Sequence, residues 1–165
     1  MNIITDKNEW DNILEKEFNK YDDVYFRSEY FEIYTKYYNC KREAIFWEDK
    51  NIKIFWPHLI RDISKIKQFK NFKYYDLTTP YGYGGPLINV KIENIKDTNN
   101  SLEKFSKEYK DYAFDNKYIC EFIRFHPIFQ NWKFFENFCN INNLNDVVII
   151  YLNQDLDKIF NNIKK

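Results

Sequence analysis

The distribution of glycine is the feature of this sequence that most restricts its fold. All three glycines of the 165-residue chain lie in one short stretch, Thr79-Pro80-Tyr81-Gly82-Tyr83-Gly84-Gly85-Pro86. Glycine tolerates positive φ angles and lets another backbone or a ligand approach closely, and the two prolines stiffen the segment further. We therefore expect a loop of special geometry here, called the glycine loop below, and we predict that any active site is built around it.

Composition favours one domain with an ordinary hydrophobic core and excludes several classes of protein. The 25 basic and 25 acidic side chains cancel, so the net charge gives no general attraction to nucleic acid or to an anionic membrane. Three widely spaced cysteines without a C-x-x-C pair argue against a disulfide framework and against a zinc site. The longest aliphatic run, Val147 to Leu152, is too short to span a bilayer. We expect a cytoplasmic protein with no metal.

One local concentration of charge remains, between Arg61 and Lys73. Five basic residues face a single carboxylate, Asp62, in this segment. Such a run is typical of a solvated connection, and it is also compatible with a site for RNA. The sequence leaves both interpretations open.

Hydrophobic spacing and capping residues predict the order of the helices and strands. An antiparallel first half is followed by β-α-β crossovers, with the glycine loop at the carboxyl end of a strand, where α/β folds commonly bind ligands. The predicted elements are helices at 6–19 and 28–38, a hairpin of strands at 43–48 and 52–60, a strand at 74–77, a helix from Asn100, a strand at 118–125, a helix at 132–140, a strand at 147–152 and a terminal helix. This order predicts an α/β (α+β) fold.

The glycine loop supplies the first group of candidate site residues. Backbone amides at Gly82, Gly84 and Gly85 can converge on a carbonyl oxygen or a phosphate, and Tyr81 or Tyr83 can donate a hydrogen bond or a proton. The alternative is a rigid structural turn covered by its tyrosines.

The strand at 118–125 supplies the second group. Alternation places Arg124 and His126 on one face, where they can bind an anionic group and accept a proton from an attacking amine. It places Glu121 on the opposite face, as a general base if it has no partner, or as the partner of Arg61 or Arg27. The alternative for Arg124 and His126 is a structural ion pair and a strand-end cap.

Two motifs resemble the amino-terminal half of Fem-type proteins, which belong to the wider superfamily of Gcn5-related N-acetyltransferases (GNAT). These motifs are the tyrosine-glycine stretch from Tyr75 to Pro86 and the sequence Glu121-Phe122-Ile123-Arg124-Phe125-His126-Pro127. The resemblance covers about residues 20 to 152. It implies a single GNAT-like domain at residues 1–153, with a mostly antiparallel mixed sheet flanked by helices.

The resemblance also implies transfer of an acyl or aminoacyl group onto an amine in cell-wall or surface-polysaccharide assembly. The donor would be aminoacyl-tRNA or acyl-CoA, with no tightly bound cofactor, and the acceptor an amine-bearing muropeptide or amino sugar. From the residues themselves we take Tyr81, Tyr83, His126 and Glu121 as candidate catalytic residues, and Gly82, Gly84, Gly85, Arg124 and Arg61 as candidate substrate-binding residues. The alternative is a non-catalytic module that binds the acceptor or a partner domain.

Fem-type enzymes usually carry two such domains in tandem. Residues 154–165 are therefore expected to lead to a second GNAT-like domain or to form a contact between copies. A further departure concerns the donor, because acetyl-CoA enzymes hold the pyrophosphate on a turn that runs directly into a helix. Here about fourteen residues separate Gly85 from the helix predicted near Asn100, which argues against acyl-CoA.

Overall fold

A six-stranded mixed sheet forms the centre of the protein, a computed structural model of which describes residues 1–91 and 94–163. The strands lie in the order β1-β2-β3-β4-β6, and β5 pairs with β3 as well. Every pair is antiparallel except β4 with β6. The predicted mixed, mostly antiparallel sheet flanked by helices is thereby confirmed. The strands are β1 (Asn2–Ile4), β2 (Lys41–Glu48), β3 (Ile52–Asp62), β4 (Tyr75–Thr78), β5 (Leu87–Val90) and β6 (Tyr118–Phe122).

In residues 1–91 and 94–163, four α-helices accompany the sheet: α1 (Lys7–Glu17), α2 (Ser28–Tyr38), α3 (Ile95–Asp115) and α4 (Leu156–Ile163). Helix α1 begins as predicted, because the Asp6 side chain accepts a hydrogen bond from the Glu9 amide. The predicted start of α3 at Asn100 is wrong. Asn94 caps this helix by accepting from the amides of Lys96 and Asp97, so the helix starts at Ile95. Within the described residues, no helix is both long and apolar enough to cross a bilayer.

Strand β3 organises the sheet because its far edge is shared by two strands. β5 pairs with its first part, up to Phe55, and β4 pairs with its last part, from Leu59. The glycine loop leaves the sheet between β4 and β5, opposite residues 56–58. Pro57 lies in this gap. Neither β4 nor β5 pairs with β3 there, so the absence of an amide hydrogen on Pro57 costs no hydrogen bond to either strand. The sequence predicted a strand end, an edge or a bulge at Pro57. In the structure β3 continues through Pro57, and the gap between β4 and β5 makes this position a local edge.

The two faces of the sheet have separate hydrophobic cores. On the face covered by α1 and α2, the Trp10 ring packs 5.0 Å from Phe31 and 5.4 Å from Phe55, measured between centroids. On the face covered by α3, the Trp56 ring stacks at 4.7 Å on Tyr109. We call these sides the α1/α2 layer and the α3 layer.

The last third of the chain departs most from the predicted elements. β6 ends at Phe122 instead of continuing to residue 125, and the helix predicted at 132–140 is a short 3₁₀ turn, Asn131–Phe134. Val147 to Leu152 is wholly exposed and forms no strand. A β-branched run is stable as a strand only when a neighbouring strand and a packed face receive it, and no described strand pairs with this one.

The terminal helix was predicted correctly in place and in type. α4 buries Ile159, which is 9% exposed, while Leu156 and Phe160 are 69% and 59% exposed. The proposed domain limit at residue 153 stays a prediction. β1 and β5 were not predicted, because each is too short to show a periodic pattern of its own.

Gly85→Ala tests the close packing of the glycine loop. Gly85 has a φ of +87°, and a Cβ there would lie 2.9 Å from Ile123 Cγ2. Strain and overpacking together should lower the free energy of unfolding by about 2 to 4 kcal/mol. Urea denaturation followed by tryptophan fluorescence measures this loss.

Gly84→Ala is the matched control, because Gly84 does not have a positive φ and its added Cβ would contact only the Thr79 side chain, at 3.0 Å. A smaller loss is expected there. Equal losses for the two variants would contradict the assignment of backbone strain to Gly85.

Candidate functional site

The glycine loop is held against the segment that follows β6. The Gly84 amide donates to the Arg124 carbonyl at 2.8 Å, and the Arg124 amide donates to Thr79 Oγ1 at 3.2 Å. Asn131 Nδ2 donates to the Pro86 carbonyl at 2.6 Å. The predicted role of the Gly84 amide in binding substrate is therefore not supported, because that amide is already engaged. Among the described residues, no acceptor is hydrogen-bonded to the amides of Gly82 and Gly85.

The other two glycines allow close approach from opposite sides. Gly82 has a φ of +99°, and a Cβ there would lie 2.3 Å from the Tyr25 ring, in the α1/α2 layer. Gly85 packs against Ile123 and Phe125, which belong to the α3 layer. The loop thus contacts both the α1/α2 layer and the α3 layer and lies at the boundary between them.

Tyr81 and Arg124 form the exposed part of this region. The Arg124 guanidinium lies 5.4 Å from the centroid of the Tyr81 ring and 5.9 Å from that of Phe122. Tyr81 is 68% exposed, and its carbonyl accepts a hydrogen bond from Tyr30 at 2.7 Å. In the part of the chain that the structure describes, no carboxylate forms an ion pair with Arg124. Arg124 is therefore available for an anionic ligand.

His126 is buried below the glycine loop with both ring nitrogens engaged. Its Nδ1 accepts from the Phe129 amide at 3.3 Å, so Nε2 carries the hydrogen and faces Asp23 Oδ2 at 3.3 Å. Burial lowers the pKa of His126 below its ordinary value of 6.5, and Asp23 opposes this shift. A neutral imidazole with no free lone pair cannot take a proton from an amine, so the base role predicted for His126 is not supported.

Tyr83 packs as cover over this histidine. Its ring centroid lies 5.7 Å from that of His126 and 5.6 Å from that of Tyr25. Of the two candidate tyrosines, Tyr81 is therefore the one presented to solvent.

Glu121 lies on the other face of the sheet from His126, as predicted, but its neighbours differ from the prediction. A register shift at the start of β6 places Tyr118 on the same side as Glu121, whereas simple alternation placed them apart. Glu121 accepts hydrogen bonds from Trp56 Nε1 at 2.8 Å and from the Tyr109 hydroxyl at 2.5 Å. Its surroundings are therefore the α3 layer.

Neither predicted arginine partner reaches Glu121. Arg61 forms a bidentate pair with Asp76, at 2.9 and 2.7 Å, across the β3–β4 ladder. Arg27 pairs with Glu15 and Asp22 at the end of α1. The substrate-binding role predicted for Arg61 is not supported, because its guanidinium is held by Asp76.

Sequence analysis did not single out His58, which lies between two carboxylates. His58 Nε2 is 2.9 Å from Glu43 Oε1, and His58 Nδ1 is 4.0 Å from Glu121 Oε1. The ring is fully buried, and Nδ1 has no hydrogen-bond partner among the described residues. We call these three residues the Glu-His-Glu cluster. The available signal was the hairpin register, because Glu43 and His58 are paired directly across β2 and β3.

Hydrogen bonding keeps Glu43 ionised inside this cluster. Burial alone would raise the pKa of Glu43, but hydrogen bonds from His58, Tyr112 and Tyr118 outweigh it and leave the pKa below the ordinary 4.5. Burial and the nearby carboxylates raise the pKa of Tyr109, Tyr112 and Tyr118, so these hydroxyls remain donors. The cluster therefore places an anionic carboxylate at Nε2 of the imidazole and leaves Nδ1 without a hydrogen-bond partner among the described residues.

Two cavities among the described residues are lined by other side chains than these. One, of about 130 Å³, lies beside α1 and is lined by Leu14, Phe18 and Arg27 among others. The second, of about 400 Å³, lies between α3 and residues 137–138. The Glu121 side chain is only 12% exposed, so the Glu-His-Glu cluster is nearly closed in this conformation. Within the described residues, no group of three or more His, Cys, Asp or Glu side chains is arranged to hold a metal ion.

Glu43→Gln tests the charge state of the cluster, because the amide oxygen keeps the acceptor while the charge is removed. The folded pKa of Glu43 lies below 4.5, so its stabilisation is complete above pH 4.5 and is lost as the pH falls through the folded pKa. The variant should lose about 1 to 3 kcal/mol of unfolding free energy at neutral pH and lose less than the parent on acidification. Urea denaturation from about pH 7 down to about pH 3 gives both quantities. A constant difference between parent and variant over this range would contradict an ionised Glu43.

Comparison with known proteins finds no matching family model, no matching curated protein and no matching solved structure. The resemblance to Fem-type proteins thus rests on the two sequence motifs.

Proposed function

We propose that this chain is an acyltransferase-like or aminoacyltransferase-like domain that acts on an amine acceptor in cell-wall or surface-polysaccharide assembly. One observation carries the proposal. His58 Nδ1, which is buried and has no hydrogen-bond partner among the described residues, lies beside Glu121, and the residues that follow Glu121 include Arg124 and pack against the glycine loop. A proton acceptor, an anion-binding side chain and unpaired backbone amides are the three elements that amine acylation requires.

The proton acceptor would be the Glu-His-Glu cluster. An amine attacks a carbonyl only as its free base, so a proton must leave the nitrogen during the reaction. Glu121 accepts this proton, and its transfer to His58 Nδ1, 4.0 Å away in this conformation, requires the two side chains to close to hydrogen-bond distance. Glu43 stabilises the resulting imidazolium through its contact with His58 Nε2. The same proton is returned to the leaving oxygen or sulfur.

The glycine loop and Arg124 would position the donor. The new bond joins the amine nitrogen to the carbonyl carbon, and the bond to the tRNA oxygen or the CoA sulfur breaks. The amides of Gly82 and Gly85 and the Tyr81 hydroxyl are the donors available to the developing oxyanion. Arg124, exposed and without an ion pair among the described residues, binds a phosphate or carboxylate of the donor or acceptor.

Aminoacyl-tRNA fits this arrangement better than acyl-CoA as donor. β5 lies between the glycine loop and α3, so the loop does not run into a helix amino terminus. The backbone amides and dipole that would hold a pyrophosphate in that position are therefore lacking at the loop.

Mass spectrometry of an amino-sugar or muropeptide acceptor, after incubation with charged tRNA or acyl-CoA, tests the proposal. Glu121→Gln should reduce kcat by about 10²- to 10⁴-fold with little change in KM, because it removes the proton acceptor and keeps the hydrogen bonds. Arg124→Ala should mainly raise KM, by about tenfold or more, since it removes a charge-assisted contact. Lys107→Ala, at an exposed site on α3, is the control and should leave both kcat and KM unchanged.

A non-catalytic binding module is the second candidate, and the exposed carboxyl-terminal segment favours it. Val148, Leu152 and Leu156 are 86%, 79% and 69% exposed, which is unusual for aliphatic side chains and typical of a surface that binds a partner domain. Saturable binding of the acceptor without transfer from either donor, and unchanged by Glu121→Gln, would support the module and contradict the enzyme.

A further inference from the structure

We propose that the loop from Ile63 to Tyr74 binds the surface of an anionic lipid membrane. This inference does not depend on the proposed acyl transfer. The loop, called the basic loop below, connects β3 to β4 and is closed at its base, where the Ile63 amide donates to the Tyr74 carbonyl at 3.3 Å. Lys65 Nζ also donates to the Asn39 carbonyl at 2.5 Å, which fixes the loop to the end of α2.

The basic loop carries an apolar side chain at every third residue, and this series, called the column below, consists of Ile63, Ile66, Phe69 and Phe72. Consecutive hydrogen bonds link the amide of Ile66 to the carbonyl of Ile63, Phe69 to Ile66 and Phe72 to Phe69. Each bond closes a separate turn, and Ile66 is extended between the first two turns. The Phe72 ring packs against its neighbours, with centroid distances of 5.9 Å to Phe69 and 6.4 Å to Tyr74. Ile63 anchors the column at 7% exposure, while Ile66, Phe69 and Phe72 are 47%, 43% and 49% exposed. The column therefore extends from the protein core into solvent.

Lysines surround this column, and no carboxylate offsets them within the loop. Residues 63–75 contain four lysines and no Asp or Glu, in a chain whose total charge is zero. The two flanking acids are engaged, since Asp62 accepts from the Ser64 amide and Asp76 pairs with Arg61. Lys67, Lys70 and Lys73 are exposed. The loop is thus a local cationic surface.

Exposed aromatic and aliphatic side chains ringed by lysines match the chemistry of an anionic bilayer surface. The lysines are attracted to the negative lipid head groups, and the apolar column can enter the boundary between head groups and acyl chains. Exposed Tyr74, at 42%, adds a ring with a polar tip, which suits that boundary.

Single-stranded RNA is a poorer match to the same residues. Base stacking requires exposed, flat aromatic faces, but the Phe69 and Phe72 rings pack edge to face at 5.9 Å with an interplanar angle of 85°. Ile66, in the middle of the column, has no ring. The loop also has no arginine, the side chain that stacks on bases and binds phosphates in a bidentate manner.

Co-sedimentation with vesicles tests the proposal on the whole chain. Binding is expected to vesicles of phosphatidylglycerol mixed with phosphatidylcholine, to weaken with salt, and to be absent with phosphatidylcholine alone. Replacing Lys67, Lys70 and Lys73 together by Gln should reduce the affinity about 100-fold, or about fivefold for each lysine. The double substitution Phe69→Ser and Phe72→Ser should weaken the affinity that persists at high salt by about tenfold or more.

Two matched variants control for charge and for exposed rings elsewhere. Replacing Lys96, Lys107 and Lys110 on α3 by Gln removes the same charge, and Phe114→Ser with Phe160→Ser removes two exposed rings. Both control variants should bind as the parent does, and circular dichroism should show that all variants are folded. Equal affinity for neutral vesicles, or equal loss in the control variants, would overturn the proposal. So would tight binding of single-stranded RNA that the loop lysines control, without binding to vesicles.

Discussion

The shared edge of β3 is the constraint on which the rest of the structure depends. β5 occupies one part of this edge and β4 the other, so the chain must leave the sheet between them and return. The excursion is the glycine loop. It needs a positive φ at Gly82 and Gly85, and it needs the space that a missing Cβ leaves for Tyr25 on one side and Ile123 on the other. Gly82 and Gly85 are thus required by backbone conformation and packing alone.

The polar groups near the sheet form two separate systems, one in each layer. Below the glycine loop, His126 is tied to Asp23 and to the Phe129 amide, so it stabilises a turn. In the α3 layer, His58 and Glu121 belong to a network that includes Glu43 and the hydroxyls of α3. A hydrogen-bonded carboxylate remains charged when buried, whereas a ring nitrogen without a partner carries the cost of desolvation. His58 Nδ1 has no hydrogen-bond partner among the described residues, whereas both ring nitrogens of His126 are engaged. The proposed chemistry is therefore assigned to His58 and Glu121.

Sequence patterns predicted the elements whose stability is local. Asp6 caps α1 as predicted, the hairpin of β2 and β3 has the predicted turn at Asp49, and α4 lies where its apolar spacing indicated. In each case a short-range signal, such as a cap or a helical stripe, indicates the element, and the same element is present in the tertiary structure. The prediction failed for Val147 to Leu152, where high strand propensity meets no partner strand, and for β5, where the partner exists but four residues show no period.

The sequence by itself determined that the glycine loop has an unusual backbone geometry, that it follows a strand, and that Arg124 and Glu121 lie on one other segment. These features follow from glycine's backbone freedom and from the period of a strand, which are local properties of the chain. Only the tertiary structure decided which nitrogens and oxygens remain free. It engaged Gly84, Arg61 and His126 with internal partners, and it placed His58 between Glu43 and Glu121, residues far apart in sequence. The hairpin register indicated the Glu43–His58 pair, but the other hydrogen-bond partners and the burial of these groups are set by distant contacts, which no local pattern in a single sequence contains.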